Sequence, residues 1–73
     1  MSRVSPAEDA ARIAFGRALR IWATACGYTP SSLADVIGAS DVAIGQWMRG
    51  QTRPSVRNLK LLRERGFVPP EES

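Results

Sequence analysis

The chain has 73 residues, of which 44% are hydrophobic and 23% charged, and its ten basic and seven acidic side chains give a formal charge of +3. This length allows one small core, and the composition is that of an ordinary folded domain, not of a disordered, collagenous or membrane protein. The lack of histidine excludes a histidine-based triad, and with Cys26 as the single cysteine neither a disulfide nor a Cys/His zinc site can form within the chain. We therefore expect no enzymatic activity and no metal or other cofactor. Without a secretory or membrane-spanning pattern, a cytoplasmic location is expected.

The first predicted helix begins at Pro6. Ser5-Pro6-Ala7-Glu8 has the pattern of a capping box with proline at the first helical position. Gly27 can adopt the left-handed conformation that closes a helix, so we expect the helix to end near Cys26. Its apolar face is predicted to be Ala11, Phe15, Ala18, Leu19, Trp22 and Ala25, which recur at intervals of three and four residues.

Two short helices are predicted next, with three residues between them. Thr29-Pro30 repeats the start signal of a helix, and Gly38 ends that helix where a turn needs positive φ. Ser40 can cap the third predicted helix, which extends to about Arg49. Two helices joined in this way form a helix-turn-helix, here over residues 30–49. The inward face of the pair is predicted to be Leu33, Ala34, Ile37, Ala39, Ile44 and Trp47.

The last predicted helix is capped by Ser55 and continues through Leu62 to Arg65. Gly66-Phe67 has the pattern of a Schellman ending, in which Phe67 packs back on Leu62. No segment alternates with a period of two, so the predicted fold is all-α, with four helices.

The predicted domain organisation has three parts. Residues 1–5 are expected to be a disordered N-terminus, residues 6–67 a single helical domain, and residues 68–73 a frayed C-terminal tail.

The helix-turn-helix segment and its surroundings resemble the Cro/phage-repressor-like domains, also called the XRE family. The resemblance covers about residues 15 to 67, and its most specific part is Trp47-Met48-Arg49-Gly50 followed by Arg53-Pro54-Ser55. It implies a compact, lambda-repressor-like domain that binds operator DNA as a dimer, usually to repress transcription. The sequence departs from the family at Pro30, where glutamine is common, and by lacking the fifth helix of many members. The remaining matched segments are Leu19-Arg20, Gly27-Tyr28-Thr29, Ser32-Leu33-Ala34 and Ile37-Gly38-Ala39-Ser40.

In this arrangement the third helix enters the major groove of double-stranded DNA. Gln46 can contact adenine through two hydrogen bonds, and Val42 can touch a thymine methyl group. Asp41 can accept a hydrogen bond from cytosine N4, or it can simply favour the helix N-terminus. The predicted base-contacting residues are Asp41, Val42, Gly45 and Gln46.

The predicted phosphate contacts surround this helix. Between Arg49 and Arg65 there are six basic residues and one acidic residue. The resemblance also implies that the loop after the third helix contacts the sugar-phosphate backbone of DNA. Free amides at the start of the second helix also attract anions. The predicted phosphate-contacting residues are Ser31, Ser32, Ser40, Arg49, Gln51, Thr52, Arg53, Ser55 and Arg57. Trp22 and Trp47 share helix faces with core residues, so we predict that they pack in the core and do not stack on bases.

These features predict a sequence-specific DNA-binding regulator, a Cro-type repressor that binds a pseudo-palindromic operator as a homodimer. The alternative is a protein-interaction module on the same scaffold, such as an antitoxin-like partner that docks through its alanine-rich first helix. No membrane or small-molecule partner is expected. The candidate dimer surfaces are the segment around Phe67 and Val68, which the family resemblance favours, and the extra length of the first helix with Ala10, Ile13, Ala14 and Ile21.

Overall fold

The protein is described by a computed structural model that covers residues 6–72, with side chains from residue 8 onward. Within this range all regular secondary structure is helical, without a β-strand, so the all-α prediction is confirmed. The predicted cap Ser5 and the predicted disordered residues 1–5 lie outside the described residues. The elements are α1 (Pro6–Ala25), α2 (Pro30–Ile37), α3 (Asp41–Met48), α4 (Val56–Glu64) and a short 3-10 helix (Pro70–Glu72).

The helix ends follow the predicted punctuation to within one residue. α1, α3 and α4 each end one residue before the predicted position. After α4, the Phe67 N–H donates to the Leu62 carbonyl at 3.1 Å and the Gly66 N–H donates to the Arg63 carbonyl at 2.9 Å. This pair of hydrogen bonds is the predicted Schellman ending, and it turns the chain back toward α1.

One core joins the four helices. Phe15, Leu19, Leu33, Ile44 and Leu62 are each fully buried and supply its centre. The predicted apolar face of α1 is too long, because its terminal members Ala11 and Ala25 are exposed. Among the α1 residues whose side chains are described, the buried ones lie between positions 15 and 23, so the helix extends beyond the core on both sides of this stretch.

Gly16 allows α1 to cross the C-terminal end of α3 at very short range. A Cβ atom at this position would lie 2.4 Å from the Trp47 carbonyl oxygen and 2.6 Å from the Met48 carbonyl oxygen. Ordinary van der Waals contact begins at about 3.4 Å, so only glycine fits. The position of α3 against α1 therefore depends on a residue without a side chain.

The C-terminal segment packs against the domain, whereas the sequence predicted a frayed tail. The Phe67 ring lies 5.4 Å from the rings of both Phe15 and Trp22, and Pro69 is fully buried. Residues 70–72 then form the 3-10 helix beside α1. Residues 67–72 take this position because the turn at Gly66 directs apolar residues 67 and 69 into the core and brings the two glutamates that follow to arginines of the domain.

Candidate nucleic-acid interface

Caps at both helix starts hold the turn between α2 and α3. The Thr29 hydroxyl accepts from the Ser32 N–H at 3.1 Å, and the Ser32 hydroxyl accepts from the Thr29 N–H at 2.8 Å, which forms a reciprocal capping box. Gly38 has a φ of 75°, and its N–H donates to the Ala34 carbonyl. The Ser40 hydroxyl then accepts from the Ala43 N–H at 3.1 Å and starts α3. The turn is therefore held by the hydrogen bond of the Gly38 N–H on one side and by the Ser40 cap on the other.

The two sides of α3 differ in burial. Ile44 is fully buried and Trp47 is 4% exposed, so this side faces the core as predicted. On the other side Asp41 is exposed, Val42 is 64% exposed, and Gly45 and Gln46 are partly exposed. The structure thus places the four residues predicted to contact bases on the outward part of α3.

The serines of the predicted phosphate set differ in how their hydroxyls are used. Ser40 and Ser55 each accept a backbone N–H as helix caps, so their O–H groups remain available as donors. The Ser32 hydroxyl donates to the Thr29 carbonyl at 3.1 Å, and the Ser32 N–H is used in the capping box. Ser32 therefore spends both of its donors within the chain, whereas Ser31 beside it is exposed.

Arg53, another predicted phosphate contact, has partners inside the protein. Its guanidinium forms an ion pair with Glu71 and lies 4.8 Å from the centre of the Phe15 ring. Arg63 pairs with Glu72 in the same way, through a 3.0 Å hydrogen bond from Nε. The basic stretch inferred from the sequence is thus partly neutralised by glutamates of the C-terminal segment. Local charge could not predict these pairs, because the position of that segment depends on the tertiary structure.

The pKa of Glu71 reflects its ion pair with Arg53. Burial raises the pKa, but the hydrogen bond from Arg53, a backbone hydrogen bond and the charges of Arg53 and Arg63 together bring it below its ordinary value of 4.5. Glu71 is thus a carboxylate at neutral pH and holds Arg53 against the domain.

An open cleft between α1 and the end of α3 contains two further arginines that the sequence analysis did not select. Arg17 and Arg20 of α1 line this cleft together with Arg49 and Gln51, and the remaining lining residues are Ile13 and Met48. Among the described residues, none of these three arginines has an ion-pair partner. The sequence signal that could have identified Arg17 and Arg20 is their spacing of three residues on α1, away from its apolar face.

The aromatic residues are used for packing. Trp22 is partly buried, with ring centres at 5.6 Å from Tyr28 and 5.4 Å from Phe67, and Trp47 is in the core. In the part of the chain that the structure describes, no cluster of three acidic or cysteine side chains could hold a metal ion. No helix there has the length and apolar character needed to cross a bilayer.

An apolar groove lies on the opposite edge of α1, beside the C-terminal segment. Its most exposed members are Ile21, at 67%, and Val68, at 56%. Phe67 is 2% exposed and forms the floor of the groove, so its surface is not free in the way that the sequence suggested. The groove brings Ile21 of one candidate dimer surface beside Phe67 and Val68 of the other, whereas Ile13 lines the cleft with Arg17 and Arg20. The groove is lined by Ala18, Ile21, Trp22, Gly66, Phe67 and Val68.

The fold and this outward-facing third helix define a helix-turn-helix protein. A family model described as Helix-turn-helix matches residues 17–73, so the chain belongs to this family of Cro/C1-type domains, and the resemblance seen in the sequence is confirmed. The family consists of DNA-binding transcription regulators that are typically not enzymes. Searches of curated proteins and of solved structures found no significant match.

Proposed function

We propose that this protein is a small Cro-type repressor that binds a pseudo-palindromic operator as a homodimer on the nucleoid of a bacterial host. The observation that supports this most directly is the two-sided burial of α3. Ile44 and Trp47 fasten one side to the core, while Val42 and its outward neighbours are accessible to a DNA groove. A rigid scaffold that presents an accessible helix is what groove recognition requires.

Within this proposal, base contacts come from α3 and phosphate contacts come from its surroundings. Gln46 binds adenine N6 and N7, Val42 packs on a thymine methyl, and Asp41 accepts from cytosine N4. Because Ser40 and Ser55 keep their O–H donors, they can bind phosphate without losing their caps. The other phosphate contacts are Ser31, Gln51, Thr52 and Arg57, with Arg53 available only after it leaves Glu71.

The homodimer follows from the small number of base contacts. One helix with about four short side chains discriminates a few base pairs at about 1 to 3 kcal/mol each, which is too little against the competing sites of a genome. Two copies related by a two-fold axis double this discrimination, with half-sites about 34 Å apart. We assign the dimer contact to the apolar groove at Ile21 and Val68, because burial of these exposed side chains in a second copy removes apolar surface from water.

The test is selection of duplexes from a random library, followed by affinity measurements over a salt series. We expect a pseudo-palindromic consensus, two protein chains for each duplex, and a log-log salt slope of several units. Gln46→Ala should relax the preference at one base pair of each half-site. Gln51→Ala is the matched control, since it removes the same side chain from the phosphate set and should weaken all sequences alike.

Three results would count against the proposal. A selection that yields no consensus sequence would contradict sequence-specific recognition. A single chain bound at saturation, on one half-site, would contradict the dimer. Absence of salt-dependent DNA binding would instead favour the protein-interaction alternative, in which the alanine-rich first helix docks a different protein.

A further inference from the structure

Arg49 shares the outward face of α3. It follows Val42 by seven residues and Gly45 by four, and these spacings place the three residues on one side of an α-helix. Arg49 also has helical dihedral angles, with φ of −86° and ψ of −5°, so the helical direction of side chains continues to this residue. The helix projection therefore groups Arg49 with the residues proposed to contact bases.

Gly45 leaves open the space that the Arg49 side chain occupies. A Cβ atom at position 45 would lie 3.3 Å from Nη1, 3.6 Å from Nη2 and 3.7 Å from Cζ of Arg49. The guanidinium thus lies back over the preceding turn of α3, which is the direction that long side chains take on a helix. Any larger residue at position 45 would fill this space.

The surroundings of Arg49 leave its guanidinium without an internal anion. No acidic residue lines the cleft that Arg49 shares with Arg17 and Arg20, and none of the three has an ion pair among the described residues. The two arginines of α1 add like charge beside Arg49 and offer its guanidinium no internal partner. This contrasts with Arg53, which is held by Glu71.

We propose that Arg49 contacts guanine in the major groove across the space left by Gly45, and is a specificity-determining residue as well as a source of positive charge. This inference rests on the proposed function. A guanidinium donates two parallel hydrogen bonds to guanine O6 and N7, and no other base presents two acceptors there. The sequence-based prediction assigned Arg49 to the phosphate contacts, because it grouped this residue with the loop that follows α3.

The test compares duplexes selected by the parent protein with those selected by Arg49→Lys and Gly45→Leu. Lysine keeps the charge but lacks the planar fork, so it should lose on the order of tenfold to a hundredfold preference for guanine at one position of each half-site. Its affinity for unrelated duplex should stay near that of the parent. Gly45→Leu should reduce the same preference although Arg49 is intact. Arg65→Lys, exposed at the C-cap of α4, is the matched control and should keep the parental consensus.

The outcomes separate this inference from the function on which it rests. A parental consensus without guanine, or an unchanged guanine preference in Arg49→Lys, overturns the role of Arg49 and leaves the repressor proposal intact. A uniform loss of affinity for all sequences in Arg49→Lys returns Arg49 to the phosphate set. If the parent selects no sequence, the repressor proposal and this inference both fail. Gly45→Leu is checked by thermal unfolding, and Arg49→Lys decides the question if that variant is unstable.

Discussion

Replacing Gly16 by alanine should destabilise the protein, although alanine is normally the better helix residue. The new Cβ atom would lie 2.4 Å from the Trp47 carbonyl oxygen, 2.6 Å from the Met48 oxygen and 2.8 Å from the Met48 carbonyl carbon. The first of these distances is about 1 Å short of ordinary contact. All three atoms belong to the backbone of α3, so no side-chain rotation can relieve the overlap. The helices α1 and α3 must move apart instead.

The net effect can be estimated from two opposing contributions. Overpacking of a core costs about 1–3 kcal/mol, and the rigid backbone here favours the upper part of that range. Alanine in a helix recovers up to about 1 kcal/mol relative to glycine. The free energy of unfolding should therefore fall by about 2 kcal/mol, which lowers the Tm of a domain of this size by roughly 10 °C.

Thermal unfolding followed by far-ultraviolet circular dichroism measures this shift, with Gly45→Ala as the matched control. At Gly45 the nearest atom to a new Cβ is Nη1 of the flexible Arg49 side chain, at 3.3 Å. This variant should therefore match the parent or gain up to about 1 kcal/mol. A Gly16→Ala protein that melts at or above the parental temperature would refute the argument that backbone contact fixes the crossing of α1 and α3.

Three further variants test the core, a cap and the C-terminal segment. Trp47→Ala should lower the free energy of unfolding by about 3–5 kcal/mol because it leaves a cavity beneath α3, and a cooperative melt near the parental temperature would contradict this. Ser40→Ala should cost about 1 kcal/mol in urea unfolding by removing the acceptor for the Ala43 N–H, and Ser40→Asp should restore it. Glu71→Gln should reduce stability at neutral pH by loss of the carboxylate that Arg53 holds. Because the pKa of Glu71 is lowered in the folded state, the parent should be more stable than Glu71→Gln above pH 4.5, and this difference in the free energy of unfolding should be lost as the pH falls through the lowered pKa. A stability difference between the two proteins that persists in acid would contradict the ion pair.

The helices and the central motif could be predicted because their signals are local. Thr29 and Ser40 as caps, Gly38 at the turn and the spacing of Ile44 and Trp47 each act within a few residues. Helix type, order and approximate ends follow from such signals without knowledge of the tertiary structure. The inward and outward sides of α3 follow from the same spacing.

The features that the sequence analysis missed depend on residues far apart in the chain. Gly16 has no local signal, since the reason for a glycine there is the backbone of α3 more than thirty positions later. Arg53 appeared to be a free cation because its partner, Glu71, follows in a segment that looked like a loose tail. That segment is packed against the domain through burial of Pro69 and Phe67, and periodicity does not reveal such isolated contacts.

The internal ion pairs decide where positive charge is available to a polyanion. Arg12, Arg53 and Arg63 are paired with Asp9, Glu71 and Glu72, so their charges are largely compensated within the chain. A phosphate that approaches Arg53 must therefore compete with a carboxylate already in place, while one that approaches the cleft of α1 meets no such competitor. Arg17, Arg20 and Arg49 therefore form one group of unpaired positive charge, at the end of α3 and the adjoining α1. Positive charge on this side of the outward face of α3 would draw the DNA backbone to that edge, which leaves the rest of the face for contact with bases. The basic residues without an ion pair among those described are Arg17, Arg20, Arg49, Arg57, Lys60 and Arg65.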